Sequence, residues 1–166
     1  MIIKEIVFPE FPTHVKLTKT KNFKISTQGI YNAKLHHHSR SKVIQYMKDY
    51  VVSQLPTDWY VDERHLPIKT LLTFHAPINW GSVRMSAGVV KWKPSPEDYH
   101  PVHDLDNFAW IWSKVIQDCL VSENILPEDT VEFIDCIEYK YQPVDTFDER
   151  KISLKLIKNE KNKRHI

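Results

Sequence analysis

Hydrophobic and polar positions alternate loosely in IIKEIVF, which predicts a first strand ended by Pro9 and Pro12. A second short strand is expected within KNFKIST (21–27). The run SRSKVIQYMKDYVVSQL (39–55) changes period: Val43, Met47, Tyr50 and Val51 recur at helical spacing, with a serine as candidate cap and Pro56 as the stop. LPIKTLLTFHAPI (66–78) reads as a strand, and SVRMSAGVVKWK (82–93) as another, with Gly88 as a bulge or turn. SPEDYHP reads as a loop. LDNFAWIWSKVIQDCLVSENI (105–125) is the strongest helix signal, and VEFIDCIEYKYQPV (131–144) and KISLKLIK (151–158) alternate as strands. Together these elements predict an α/β (α+β) domain with a small mixed sheet and two main helices.

On a helical wheel, Leu105, Phe108, Trp112, Val115 and Cys119 share one apolar stripe, which predicts the core face of the second helix. Asp106, Trp110, Lys114 and Asp118 step by four along a different face. The pair Glu128–Asp129 lies beyond the helix, about 30 Å of unbroken helix from Asp104. Asp129 therefore approaches Asp104 only if the chain returns across the sheet, or the helix ends early and folds back.

The 166 residues suffice for one domain with a substantial core. No apolar run is long enough for a membrane span, the N-terminus is too short and acidic for a signal peptide, and a cytoplasmic protein is expected. Cys119 and Cys136 lack metal-type spacing and read as reduced cysteines. With three glycines and no phosphate-binding or dinucleotide fingerprint, no nucleotide cofactor is expected.

Charge is sorted along the chain. Residues 1–50 carry nine Lys/Arg against three Asp/Glu, 101–150 carry three against twelve, and 151–166 carry six against one. A basic segment suits a polyanion and a concentrated acidic one suits a metal, although solvated faces also sort charge. The acidic segment opens with HDLDN (103–107), where two carboxylates repel one another unless a cation relieves them. The ordinary reading is that Asp104 or Asp106 caps the following helix.

DLDN, then KVIQD on a helix, then EDTV before a strand resembles the RusA-type Holliday junction resolvases, specifically over residues 103–158 and more loosely at the N-terminus. The resemblance implies a single RusA-like endonuclease domain over 1–166, with a basic N-terminal loop (13–38) and a longer insert (79–102). It implies a homodimer that nicks four-way DNA junctions symmetrically in recombination and repair, using Mg2+ held by aspartates. Asp104 and Asp106 match the family's metal-binding aspartates and Asn107 its asparagine. Asp129 matches the third essential aspartate, with Glu128 where the family usually has another Asp. Lys114 matches the catalytic lysine. The family carries that lysine four residues after the second motif aspartate, where this chain has Trp110; Lys114 lies eight after, a shift of about 6 Å along the axis. His103 stands where the family tends to have arginine.

The chemistry is coherent on its own terms. Phosphodiester hydrolysis needs an activated water and neutralised oxygens, which carboxylate-held magnesium supplies. Lys16, Lys19, Lys21, Lys24 and His103 are the candidate DNA contacts, since backbone contacts need charge more than sequence precision. His36, His37 and His38 read as part of a basic loop near DNA, because adjacent histidines do not all face one ion in a regular element. Trp80, Trp92 and Trp110 read as core or interface residues, with Trp110 set apart by its place off the core stripe. Lys114 also suits a plain pairing with Asp118. Two rival functions stay open: a junction-binding accessory protein with weak or lost catalysis, and a metallohydrolase built on His100 and His103.

Overall fold

The computed structural model describes residues 1–32, 35–77, 84–86, 89–92 and 105–159, of which 84–86 and 89–92 as backbone only. The chain runs β1 (Ile2–Pro9), β2 (His14–Lys16), β3 (Asn22–Lys24), α1 (Thr27–Ile30), α2 (His37–Gln54), β4 (Ile68–Ala76), β5 (Arg84–Ser86), β6 (Val89–Trp92), α3 (Leu105–Ser122), β7 (Ile134–Pro143) and β8 (Lys151–Lys158).

Strict alternation in β4 buries Ile68, Thr70, Leu72, Phe74 and Ala76 on one face, and β8 does the same with Ile152, Leu154 and Leu156. The two pair antiparallel inside a four-stranded sheet of order β1-β8-β4-β7. β4 and β7 are parallel, a pairing that needs a crossover, and α3 lies in that connection. The sheet is therefore mixed, and the α+β architecture expected from the pattern is the one observed. Pro9 does not stop β1 but belongs to it, opposite Lys151, which an edge strand tolerates. The opposite sheet face is laced with ion pairs, Lys69–Glu138 and Lys155–Glu5 among them.

Both long helices bury a side in one core. Phe11 sits edge-on to Phe74 of β4 and to Trp112 of α3, at ring distances of 6.3 and 5.9 Å. α2 contributes Val43, Met47 and Val51. α3 is buried well beyond the expected stripe: Ala109, Ile111, Ile116 and Leu120 join Phe108, Trp112, Val115 and Cys119, while Leu105 is half-buried. The helix packs against α1 and α2 as well as β4 and β7, so one apolar stripe is too narrow to serve it. Its buried polar pair satisfies itself, Gln117 Nε2 donating to Ser113 Oγ at 2.8 Å. Burial pushes the Cys119 thiol up to about 11, as suits a core cysteine.

Three local expectations are corrected. α2 begins at His37 rather than after a serine: His36 is the cap, its Nδ1 accepting from the His38 amide at 3.3 Å. The segment 82–93 forms two short antiparallel strands, β5 and β6, instead of one; Gly88 lies outside the described residues. In the basic N-terminal stretch β3 is the short strand expected within KNFKIST, but it pairs with β2 in a hairpin and is followed by the single-turn α1. β2 and α1, of three and four residues, show too little periodicity to be read from sequence.

Candidate acidic centre and nucleic-acid interface

Four residues on α3 escape burial along one line: Asp106 and Trp110 are exposed, Lys114 and Asp118 half-buried. Their spacing by four sets them above one another. α3 ends in a Schellman motif, with Asn124 at φ 58°, Ile125 N–H donating to Leu120 O at 2.9 Å, and Asn124 N–H to Val121 O at 3.0 Å. The chain then doubles back, anchored by buried Ile125 and Leu126. The helix therefore ends early and the chain folds back, one of the two routes open to Asp129; Asp104 itself lies outside the described residues.

The return brings Asp129 to Lys114. Lys114 Nζ donates to Asp129 Oδ2 at 2.8 Å and to Asp118 Oδ1 at 2.9 Å. The Asp129 bond, then the Asp118 bond, holds the lysine above its ordinary pKa; Lys114 in turn holds the Asp129 carboxyl below its own. Both expected partners of Lys114 are thus present together. Asp106 lies eight residues, about 12 Å along the helix, toward the N-terminus. Glu128 is exposed. Asp104, His103 and His100 lie outside the described residues, as does most of the insert 79–102.

The DLDN asparagine has a structural task. Asn107 Oδ1 accepts from the Gln28 amide at 2.8 Å, in the first turn of α1. Thr27 Oγ1 accepts from Ile111 N–H at 3.2 Å and donates to the Asp106 carbonyl at 3.4 Å. These bonds fasten α1 to the first turn of α3. They also set Tyr31, the α1 C-cap, edge-on to Trp110 at 5.5 Å. Thr27, Gln28, Tyr31, Asp106, Asn107 and Trp110 line an open, shallow cleft of about 590 Å³. Nothing in the sequence pattern signals Tyr31, because its place follows from a one-turn helix docked by side chains seventy-nine residues away.

The basic hairpin is rooted at the same end of α3. Lys16, Lys19 and Lys21 are exposed on β2 and the 17–21 loop. Lys24 is half-buried over the Phe108 ring, at 5.9 Å, and burial lowers its pKa. Lys42 of α2 pins the loop by donating to Leu17 O at 3.1 Å. The hairpin therefore presents three solvated lysines, while Lys24 packs at its base.

Two sets of metal-ligand types are present. His36, His37 and His38 gather at the α2 N-terminus with their donor atoms within 4.8 Å of one another, closer together than the sequence suggested. Among the described residues theirs is the one group of three ligating side chains that converges. The positive end of the helix disfavours a cation there. The aspartates suit a hard, oxygen-preferring cation such as Mg2+ by donor type. Asp106 has no side-chain partner among the described residues, and Asp129 keeps Oδ1 clear of Lys114. Asp106, Asp118 and Asp129 do not by themselves form a converging triad.

Among the described residues no helix is long and apolar enough to cross a membrane. No family profile matches the chain, and no characterised protein matches it.

Proposed function

We propose that this chain is a magnesium-dependent, structure-selective DNA endonuclease of the RusA type, resolving four-way junctions in the cytoplasm as a homodimer. The observation that carries this reading is the Lys114–Asp129 pair at 2.8 Å. It brings the third aspartate of the resemblance onto the α3 face that begins with DLDN, although a chain reversal separates them. The shift of Lys114 by one helical turn leaves it in contact with that aspartate.

Each group then has a task. The resemblance assigns the metal, which when bound activates water and neutralises phosphate oxygens, to Asp104, Asp106 and Asp129; Asp129 would have to leave Lys114 to join Asp106 on one ion. An ammonium has three donors, and Lys114 directs two at Asp129 and Asp118, leaving one for a phosphate oxygen. Lys16, Lys19 and Lys21 draw the polyanionic backbone to this end of the molecule. A two-fold symmetric dimer would present one such centre to each of the two equivalent strands of a junction.

The junction-binding alternative draws support from the absence of a converging acidic triad among the described residues. One experiment separates the two: nicking of labelled four-way junction, fork and linear duplex, with and without Mg2+. Metal-dependent paired nicking of the junction, abolished in Asp104→Asn and Asp106→Asn with junction binding retained, is expected. Tight junction binding with no nicking at any Mg2+ concentration would select the accessory protein.

A further inference from the structure

We infer that the Tyr31–Trp110 cleft is a stacking site for one unpaired nucleobase of the bound DNA, an inference that rests on the nucleic-acid reading above. Two large aromatic side chains stand side by side with half their surface in water, Tyr31 at 50% and Trp110 at 44% exposed. Their rings lie 5.5 Å apart at 76°. Phe108 and Trp112 of the same helix are by contrast buried.

The ledge is held rigid before any ligand arrives. Trp110 projects from the long helix α3, and Tyr31 from an α1 fastened by the Asn107–Gln28 and Thr27–Ile111 bonds. Arg40 sets its guanidinium 5.7 Å from the Tyr31 ring centre while its Nε donates to Ile30 O at 2.8 Å, so the ring is flanked by a fixed cation. Aromatic surface in a fixed pose loses little entropy on stacking with a second flat ring.

The chemistry of the walls selects the occupant. Aromatic faces match the face of a base; the Asp106 carboxylate would accept from a base N–H, such as the N3–H of thymine or an exocyclic amine, and Asn107, whose Oδ1 is engaged by Gln28, has no partner for its amide N–H donors among the described residues. The lysines of the β2–β3 hairpin, rooted at the same end of α3, match a phosphate chain attached to that base. A paired base has both faces covered by its neighbours, so the cleft takes a base that is unstacked, as at the centre of an opened branch point or in a single strand. The Trp110 that stands where the resemblance places a lysine thus exchanges a charge for a stacking surface. Nearness to Asp106 would set the phosphate of the captured nucleotide beside the acidic centre.

The test uses the full chain without divalent metal and three probes: a four-way junction, a linear duplex and single-stranded (dT)12. Trp110→Ala and Tyr31→Ala should each weaken (dT)12 and junction binding about tenfold, with duplex affinity unchanged and Trp110→Phe within about threefold of the parent. Tryptophan emission of the parent should be quenched by (dT)12, and that quenching should vanish in Trp110→Phe. Both rings are at the surface, and matching thermal melts of the variants confirm that they fold. Undiminished (dT)12 and junction binding by Trp110→Ala, or an equal loss on duplex, overturns the stacking site and leaves the endonuclease reading standing. Failure of the parent to bind any of the three probes overturns both.

Discussion

Lys114 shows how one side chain joins distant parts of a sequence. Its ammonium spans Asp118, one turn on, and Asp129, on the returning chain. Its bonds to Asp129 and then Asp118 raise its pKa above the ordinary lysine value, so it is charged at neutral pH. Asp129, lowered chiefly by the Lys114 bond, contributes stability from the ordinary carboxylate range upward and loses it as pH falls through its lowered folded value. Lys114→Ala should reduce the nicking rate at least tenfold while leaving metal-free junction binding intact; an unchanged rate would remove the lysine from the chemistry. His14 gives a second pH signature. Burial first, and Lys24 second, push it down from 6.5 to about 4. The unfolded chain then binds the extra proton between those values, so stability is full above 6.5 and declines as pH falls toward 4. Urea midpoints should show His14→Gln losing less stability than the parent over that window, by about 1 kcal/mol once the exposed part of the ring is discounted.

At the scale of elements, two short pieces depend on long ones. α1 has four residues and cannot persist alone. Ser26 caps it locally, accepting from the Gly29 amide at 2.9 Å, and Asn107 caps it from across the fold. Asn107→Ala should lower stability by about 1–2 kcal/mol, as removal of a helix cap does, and should loosen the Tyr31–Trp110 ledge. Denaturant unfolding followed by tryptophan emission measures both effects. The β2–β3 hairpin is three residues a side and is held by the Lys42 bond and by the Ile25 amide on Thr13 O at 2.8 Å. Lys19→Gln with Lys21→Gln should reduce the log–log salt slope of junction binding by about two. An unaltered slope would mean that the hairpin does not touch the backbone.

At the scale of the whole molecule, the sheet, the helices and the hairpin put opposite charges at one end of α3 without letting them cancel. Asp106 leads the helix, the solvated lysines stand on a separate hairpin, and aromatic surface lies between Asp106 and α1. On the proposed reading, such an arrangement would draw in a polyanion through the lysines while leaving carboxylates available for the reaction. Mixing both charges on one face would pair them off, as the outer face of the sheet does with Lys69–Glu138.

Much of this architecture was legible in the residues alone, wherever a period ran long enough to be seen. Strand β8 and helix α3 start at the residues the alternation and the wheel assign them, and β4 begins two residues after its apolar run opens, because repeated burial on one face leaves an unmistakable mark in composition. The open face Asp106–Trp110–Lys114–Asp118 was likewise readable, since spacing by four is local geometry. What only the tertiary structure decided are contacts made across the chain. The approach of Asp129 to Lys114, the second buried side of α3 and the docking of α1 all depend on partners many residues away, whereas the histidine cap of α2 is a local contact made by a residue type that seldom caps a helix. A short element takes its conformation from what it packs against, so its own few residues carry no pattern. The cleft beside Asp106 exists only because two such partners, α1 and α3, are fastened together.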